Sequence, residues 1–146
     1  MRIEHLGPGD DAKVEQAGAL FDGPALAEAT RRFLAQPGHH LLLAYDGGTP
    51  AGFVTGVELT HPDKGTEMFL YELGVAEEHR RRGIGTALVA ELARLAREAN
   101  CYGMWVLTED DNQAALATYH AAGGARESES VMVSWEFSRS GNRAGR

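Results

Sequence analysis

A single cysteine, Cys101, occurs in the 146 residues, which excludes an intramolecular disulfide and any metal site built on several cysteines. Long hydrophobic runs are missing too, and nothing approaches the roughly 20 apolar residues of a membrane span. The opening MRIEHLGPGDD lacks the apolar core of a secretory signal, so a cytoplasmic location is expected. Basic residues are few: 14 Lys and Arg stand against 21 Asp and Glu, for a net charge of −7. Nucleic acid needs a broad basic face, so it is not an expected partner. Neither is a membrane.

What is there suits a soluble globular chain, with 43% apolar and 24% charged residues. One domain over residues 1–137 is expected, followed by a disordered tail at 138–146. The few basic residues are clustered. Arg80, Arg81 and Arg82 are consecutive, and Arg139, Arg143 and Arg146 lie in the tail. A focused basic spot on an acidic body suits a small anionic group, with a cationic partner elsewhere. Acidity for solubility alone is the plain alternative.

Along the chain, MRIEHL alternates like a strand and GPGDD can cap a helix. Amphipathic stretches at 11–21 and 24–35 are split by Gly23-Pro24. HHLLLAYD and PAGFVTGVELT flank Gly47-Gly48 as a hairpin, and THPDKGT makes a second turn. EMFLYELGV is rich in strand-forming residues. Ile84, Leu88, Leu92, Leu95 and Ala99 mark one face of a helix. YGMWVLT is a short strand entering the acidic loop EDDN, and QAALATYHAA is a helix ended by two glycines. ESVMVSWEF alternates as a last strand. The order β-α-α-β-β-β-α-β-α-β predicts an α/β domain around a mixed sheet.

The segment EHRRRGIGTALVAEL follows a strand ending at Val75 and opens a helix. Free N–H groups in a first helical turn, the positive end of the dipole and flanking arginines make an anion site. Gly83 and Gly85 allow positive φ and close approach of an anion to the backbone. A P-loop would need Gly-Lys-Ser/Thr, which is missing. A dinucleotide fingerprint would need glycine where Leu88 stands.

The run Arg80-Arg81-Arg82-Gly83-Ile84-Gly85 matches Q/R-x-x-G-x-G/A and resembles the acetyl-coenzyme A pyrophosphate loop of the GNAT (general N-acetyltransferase) superfamily. NQAALATYHAAGG is similar to that superfamily's later N-x-x-A-x-x-x-Y segment. The resemblance covers about residues 1–137. It implies the GNAT fold: a mixed, mostly antiparallel twisted sheet with about four helices. It also implies acetyl-CoA as co-substrate, without a metal. Loop residues Arg80, Arg81, Arg82, Gly83, Ile84, Gly85 and Thr86 would hold the coenzyme. Leu73, Gly74 and Val75 resemble the splayed strand end whose N–H groups hold pantetheine and the thioester carbonyl. Gly74 is consistent with a bulge.

Acetylating an amine with a thioester requires a neutral amine, an oxyanion donor and a proton for the leaving thiolate. Glu72 is the base candidate, with a solvent-facing strand glutamate as the alternative. Burial would raise its pKa. Tyr119 matches the superfamily tyrosine near the coenzyme sulfur and can donate the proton; otherwise it is a packed helix residue. Asn112 caps its helix, and the resemblance adds a coenzyme contact. His39 and His40 face opposite ways on a strand and do not readily share a metal. Cys101 reads as inert.

Glu109, Asp110 and Asp111 form a candidate site for a polycationic acceptor, although acidic residues also favour helix N-termini. EMFLYELGVAEEHRRRGIGTALV is similar to the corresponding stretch of GNAT-type aminoglycoside 3-N-acetyltransferases, as are LGPGD and ALF. Glu72 stands where that family has Asp, and Gly85 where it has Ala. By this resemblance Glu72 accepts the 3-ammonium proton, and Glu109 matches an aspartate of the acceptor loop. The segment between Phe21 and Leu41 is shorter than in those enzymes, in a region that often walls the acceptor site. The expected function is direct acetylation of an aminoglycoside, a cationic small-molecule amine, conferring antibiotic resistance. The alternatives are a polyamine, a protein N-terminus or lysine as acceptor, or a non-catalytic coenzyme-binding module. A homodimer is a candidate by analogy, with ESVMVSWEF at its interface.

Overall fold

The computed structural model describes residues 1–127 and 130–138. Among these residues, five strands form one sheet in the order β1-β2-β3-β4-β5: β1 (Arg2–His5), β2 (His39–Asp46), β3 (Thr49–His61), β4 (Gly65–Val75) and β5 (Met104–Val106). Neighbouring pairs are antiparallel except β4–β5, which is parallel. The helices are α1 (Asp11–Gln16), α2 (Ala27–Ala35), α3 (Ile84–Glu98) and α4 (Gln113–Ala121). The sheet is therefore mixed and mostly antiparallel, within an α/β fold.

Both expected hairpins form. Asp46 pairs with Thr49 across Gly47-Gly48, where Gly47 takes φ 62°. His61 pairs with Gly65 across the second turn. Alternation along the strands divides the core into two layers. Leu42, Ala44, Val54, Met68 and Leu70 pack under α3. Leu41, Leu43, Tyr45 and Phe53 face the other way, towards Val14 of α1 and Leu34 of α2. The buried stripe of α3 is Ile84, Leu88, Val89, Leu92 and Ala96, with Leu95 half-buried beside it. Each fully buried leucine contributes about 1.5–3 kcal/mol relative to exposure.

Three expectations need correction. The first helical stretch stops at Gln16 and tightens into a 3-10 turn at Gly18–Leu20, closed by Phe21 N–H to the Gly18 carbonyl at 3.1 Å. Glycine lowers the tendency to continue the helix there. The second begins at Ala27 because Leu26 is extended, with φ −91° and ψ 123°. The last strand does not form among the described residues: within ESVMVSWEF residues 130–137 join no ladder, and Val131, Trp135 and Phe137 are exposed. Alternating composition makes a strand only where another strand supplies hydrogen bonds. Residues 139–146 of the expected tail lie outside the described residues, as do Ser128 and Glu129.

Candidate active site

The site is organised by an irregularity in β4. Thr55 of β3 lies opposite Glu72, but Gly56 lies opposite Leu70, so Tyr71 has no counterpart. A bulge of this kind resets which residues face which way. Met68 and Leu70 point into the α3 layer; with unbroken alternation Glu72 would follow them. Instead Leu73 and Val75 pack on that layer, while Glu72 turns to the opposite face.

There Glu72 lines a cavity of about 360 Å³. Phe21, Phe33, Leu34 and Leu41 supply apolar wall, and Asp22 and Thr55 supply polar groups. The Glu72 carboxyl is pushed above the usual carboxylate range, first by burial and then by the nearby Asp22 carboxylate. The Thr55 hydroxyl oxygen is buried without a hydrogen-bond partner. Asp22 was not singled out from the sequence, because Asp-Gly-Pro reads as turn chemistry. Its signal was position, in the early helical region expected to wall the acceptor site.

The bulge was expected at Gly74 and lies at Tyr71 instead. Gly74 is required for another reason: a Cβ there would sit 2.7 Å from Cε1 of Phe53. The end of β4 runs beyond its pairing with β5. β4 pairs with β5 only from Met68 to Leu70, so among the described residues Leu73, Gly74 and Val75 have no strand partner on that side.

Beyond β4 the arginine loop leads into α3. Gly83 is the N-cap, in the left-handed region at φ 79°, and a Cβ there would meet nothing within 4 Å. Its need for glycine is conformational. Gly85 differs from expectation: it is helical, and glycine serves close packing, since a Cβ would lie 3.3 Å from Thr118 Cγ2. The second left-handed residue of the loop is Arg81, at φ 65°. Such strain in a non-glycine residue costs about 1–3 kcal/mol and clusters at ligand sites. The N–H groups of Ile84, Gly85 and Thr86 occupy the first turn of α3, where no carbonyl lies one turn behind them. Arg80 Nε donates to the Val75 carbonyl at 3.2 Å, tying the loop to the strand end. Arg82 Nη1 donates to Asp46 Oδ2 at 2.9 Å, and His79 Nε2 lies 3.3 Å from the same oxygen. Together the free N–H groups, the dipole and the arginines can hold a phosphate-type anion.

Tyr119 of α4 packs on the same side of the sheet as Leu73 and Val75. Burial raises its pKa, so it keeps its proton at neutral pH. Glu72 and Tyr119 therefore flank the end of β4 from opposite faces. Asn112 Oδ1 accepts from the Ala115 N–H at 3.1 Å, which makes it the cap of α4. Glu109, Asp110 and Asp111 are exposed in the preceding loop and are not among the residues lining the cavity. His40 bonds Glu58 at 2.6 Å and His5 at 3.1 Å, whereas the His39 ring lies tilted against Phe33, with centroids 5.2 Å apart. Cys101 is half-buried, and burial raises its pKa away from reactivity. Among the described residues, no helix is long and apolar enough to cross a membrane.

The profile of the Acetyltransferase (GNAT) family matches residues 12–123. N-alpha-acetyltransferase RimI of Mycobacterium tuberculosis is 33% identical over 115 residues, covering 79% of this chain and 70% of that protein. N-acetyltransferase 8 of Rattus norvegicus is 29% identical over 108 residues, 73% of this chain, and the chain spans about half of its length (49%). Among solved structures, the aminoglycoside acetyltransferase meta-AAC0020 from an uncultured soil metagenomic sample, in complex with sisomicin, superposes with a TM-score of 0.85. That match covers 94% of this chain and 96% of the other at 20% identity, which speaks to fold. With the family match over most of its length, the chain belongs to the GNAT family of acetyltransferases.

Proposed function

We propose that this protein acetylates an aminoglycoside at an amino group, the 3-amino group by its sequence resemblance, with acetyl-CoA as donor, and so confers antibiotic resistance. The observation that carries the reading is the placement of Glu72. A bulge turns it out of the apolar core into a cavity, where burial and Asp22 raise its pKa. A carboxylate so tuned is a fitting base for an ammonium group. The aminoglycoside class is supported by the likeness of the fold to an enzyme bound to sisomicin and by the net charge of −7, which favours a polycation.

Acetyl-CoA supplies an activated acetyl group as a thioester. The residues present fit it: free N–H groups at Ile84, Gly85 and Thr86 suit the pyrophosphate, flanked by Arg80, Arg81 and Arg82. The unpaired stretch of Leu73, Gly74 and Val75 suits the pantetheine and the thioester carbonyl. In this reading Glu72 takes the proton from the acceptor ammonium, directly or through water. The amine nitrogen then bonds to the acetyl carbon as the carbon–sulfur bond breaks. Tyr119 gives its proton to the thiolate and is reprotonated, directly or through water, by the second proton that the acylated nitrogen sheds, so that the proton on Glu72 is the one released overall. Glu109, Asp110 and Asp111 draw the remaining ammonium groups, and Asn112 positions α4 beside the coenzyme.

Acetyl-CoA consumption measured with gentamicin, kanamycin, spermidine and peptides tests the reading. Turnover concentrated on aminoglycosides supports it, and no turnover on any of them refutes it. A second reading, acetylation of a protein N-terminus, is favoured by the 33% identity to RimI and by the apolar cavity walls. Peptide turnover without aminoglycoside turnover would select it.

A further inference from the structure

We propose that Asp22 is an acceptor-binding residue, and that Asp22 and Glu72 together hold the reacting ammonium group between their carboxylates. This deepens the proposed function and rests on its assignment of the cavity to the acceptor. Three independent features converge on one spot. Glu72 and Asp22 reach each other from β4 and from the turn between the first two helices. They line a cavity large enough for an amine-bearing ring. The Thr55 hydroxyl, opposite Glu72 in the ladder and on the same cavity wall, has no protein hydrogen-bond partner.

Two adjacent carboxylates repel unless a proton or a cation lies between them. An alkylammonium supplies that cation with three N–H donors, one each for Asp22, Glu72 and Thr55. The cavity thereby selects a primary amine in its charged form. Glu72 then removes one of its protons, while Asp22 remains as the negative partner that positions the nitrogen. Among the residues lining the cavity, Asp22 and Glu72 are the titratable ones. Asp22 is itself exposed on a turn, so its replacement leaves the core untouched.

The experiment compares wild type, Asp22→Asn and Asp22→Glu by kinetics with gentamicin across pH, and by calorimetric titration of gentamicin into enzyme saturated with CoA. Asp22→Asn should raise the gentamicin KM and Kd at least about tenfold, as expected for loss of a charge-assisted hydrogen bond. The acetyl-CoA KM should stay unchanged, and the acidic limb of kcat/KM should move to lower pH as Glu72 loses its negative neighbour. Asp22→Glu should recover part of the affinity. Turnover by wild type with an unchanged gentamicin KM in Asp22→Asn overturns the pair and leaves the proposed function standing. Binding that depends on Asp22, without turnover, upholds the pair and refutes the proposed function. Absence of any gentamicin binding by wild type refutes both.

Discussion

Replacing Gly74 with alanine tests the packing behind the Phe21 wall of the cavity. An ideal Cβ at this position lies 2.7 Å from Phe53 Cε1, 3.3 Å from Cδ1 and 3.5 Å from the Leu20 carbonyl oxygen. Carbon atoms in contact prefer about 3.5–4.0 Å, so the ring must retreat by roughly 1 Å. It has little room. Phe53 is 1% exposed, and its ring meets Phe21 edge-on with centroids 4.7 Å apart. Relief requires either displacing Phe21, which adjoins Asp22, or parting β4 from β3. Overpacking of this kind costs about 1–3 kcal/mol. For a domain of this size, that lowers Tm by roughly 3–12 °C, measured by calorimetry or thermal circular dichroism. The acceptor KM should rise as well, since the push is transmitted through Phe21 into the cavity wall. A Tm within about 1 °C of wild type, with unaltered kinetics, would refute the idea that Gly74 is reserved for the Phe53 ring.

Two further substitutions probe the site's electrostatics and its framing helix. Glu72 has a raised folded-state pKa, so its ionisation is less favourable in the folded than in the unfolded chain. The resulting cost to stability is absent below the unfolded value of about 4.3 and complete above the raised folded value. Glu72→Gln should therefore be more stable than wild type near pH 7 and lose that advantage at pH 3–4, as read from urea midpoints at both pH values. Asn112→Ala removes the Oδ1 acceptor for the Ala115 N–H and should cost about 1 kcal/mol in the same urea assay.

The legible parts of the fold were those where local chemistry and tertiary packing agree. The spacing of Ile84, Leu88 and Leu92 marked the buried face of α3, and Gly47-Gly48 marked a hairpin. Asn112 followed from capping preference alone. The arginine–glycine loop was legible as an anion site because free N–H groups at a helix start follow from helix geometry. The role of Gly85 was not, since its crowding comes from Thr118, 33 residues further on. Long-range pairing explains the other differences. The bulge at Tyr71 is a register event between β3 and β4, and EMFLYELGV alternates no differently for having one. The apolar pattern at 131–137 resembled a strand, yet the described residues there join no ladder. Asp22 could be read only as a turn residue until α1, α2 and β4 came together around it.

The account turns on Glu72 being aimed into the acceptor cavity as a base. Kinetics of Glu72→Gln against wild type from pH 6 to 9, together with the Kd for acetyl-CoA, test that most directly. The expected result is a fall in kcat/KM for the amine of about 10²–10⁴-fold, the acidic limb of the pH profile lost and acetyl-CoA binding unchanged. A kcat/KM within twofold of wild type at every pH would contradict it.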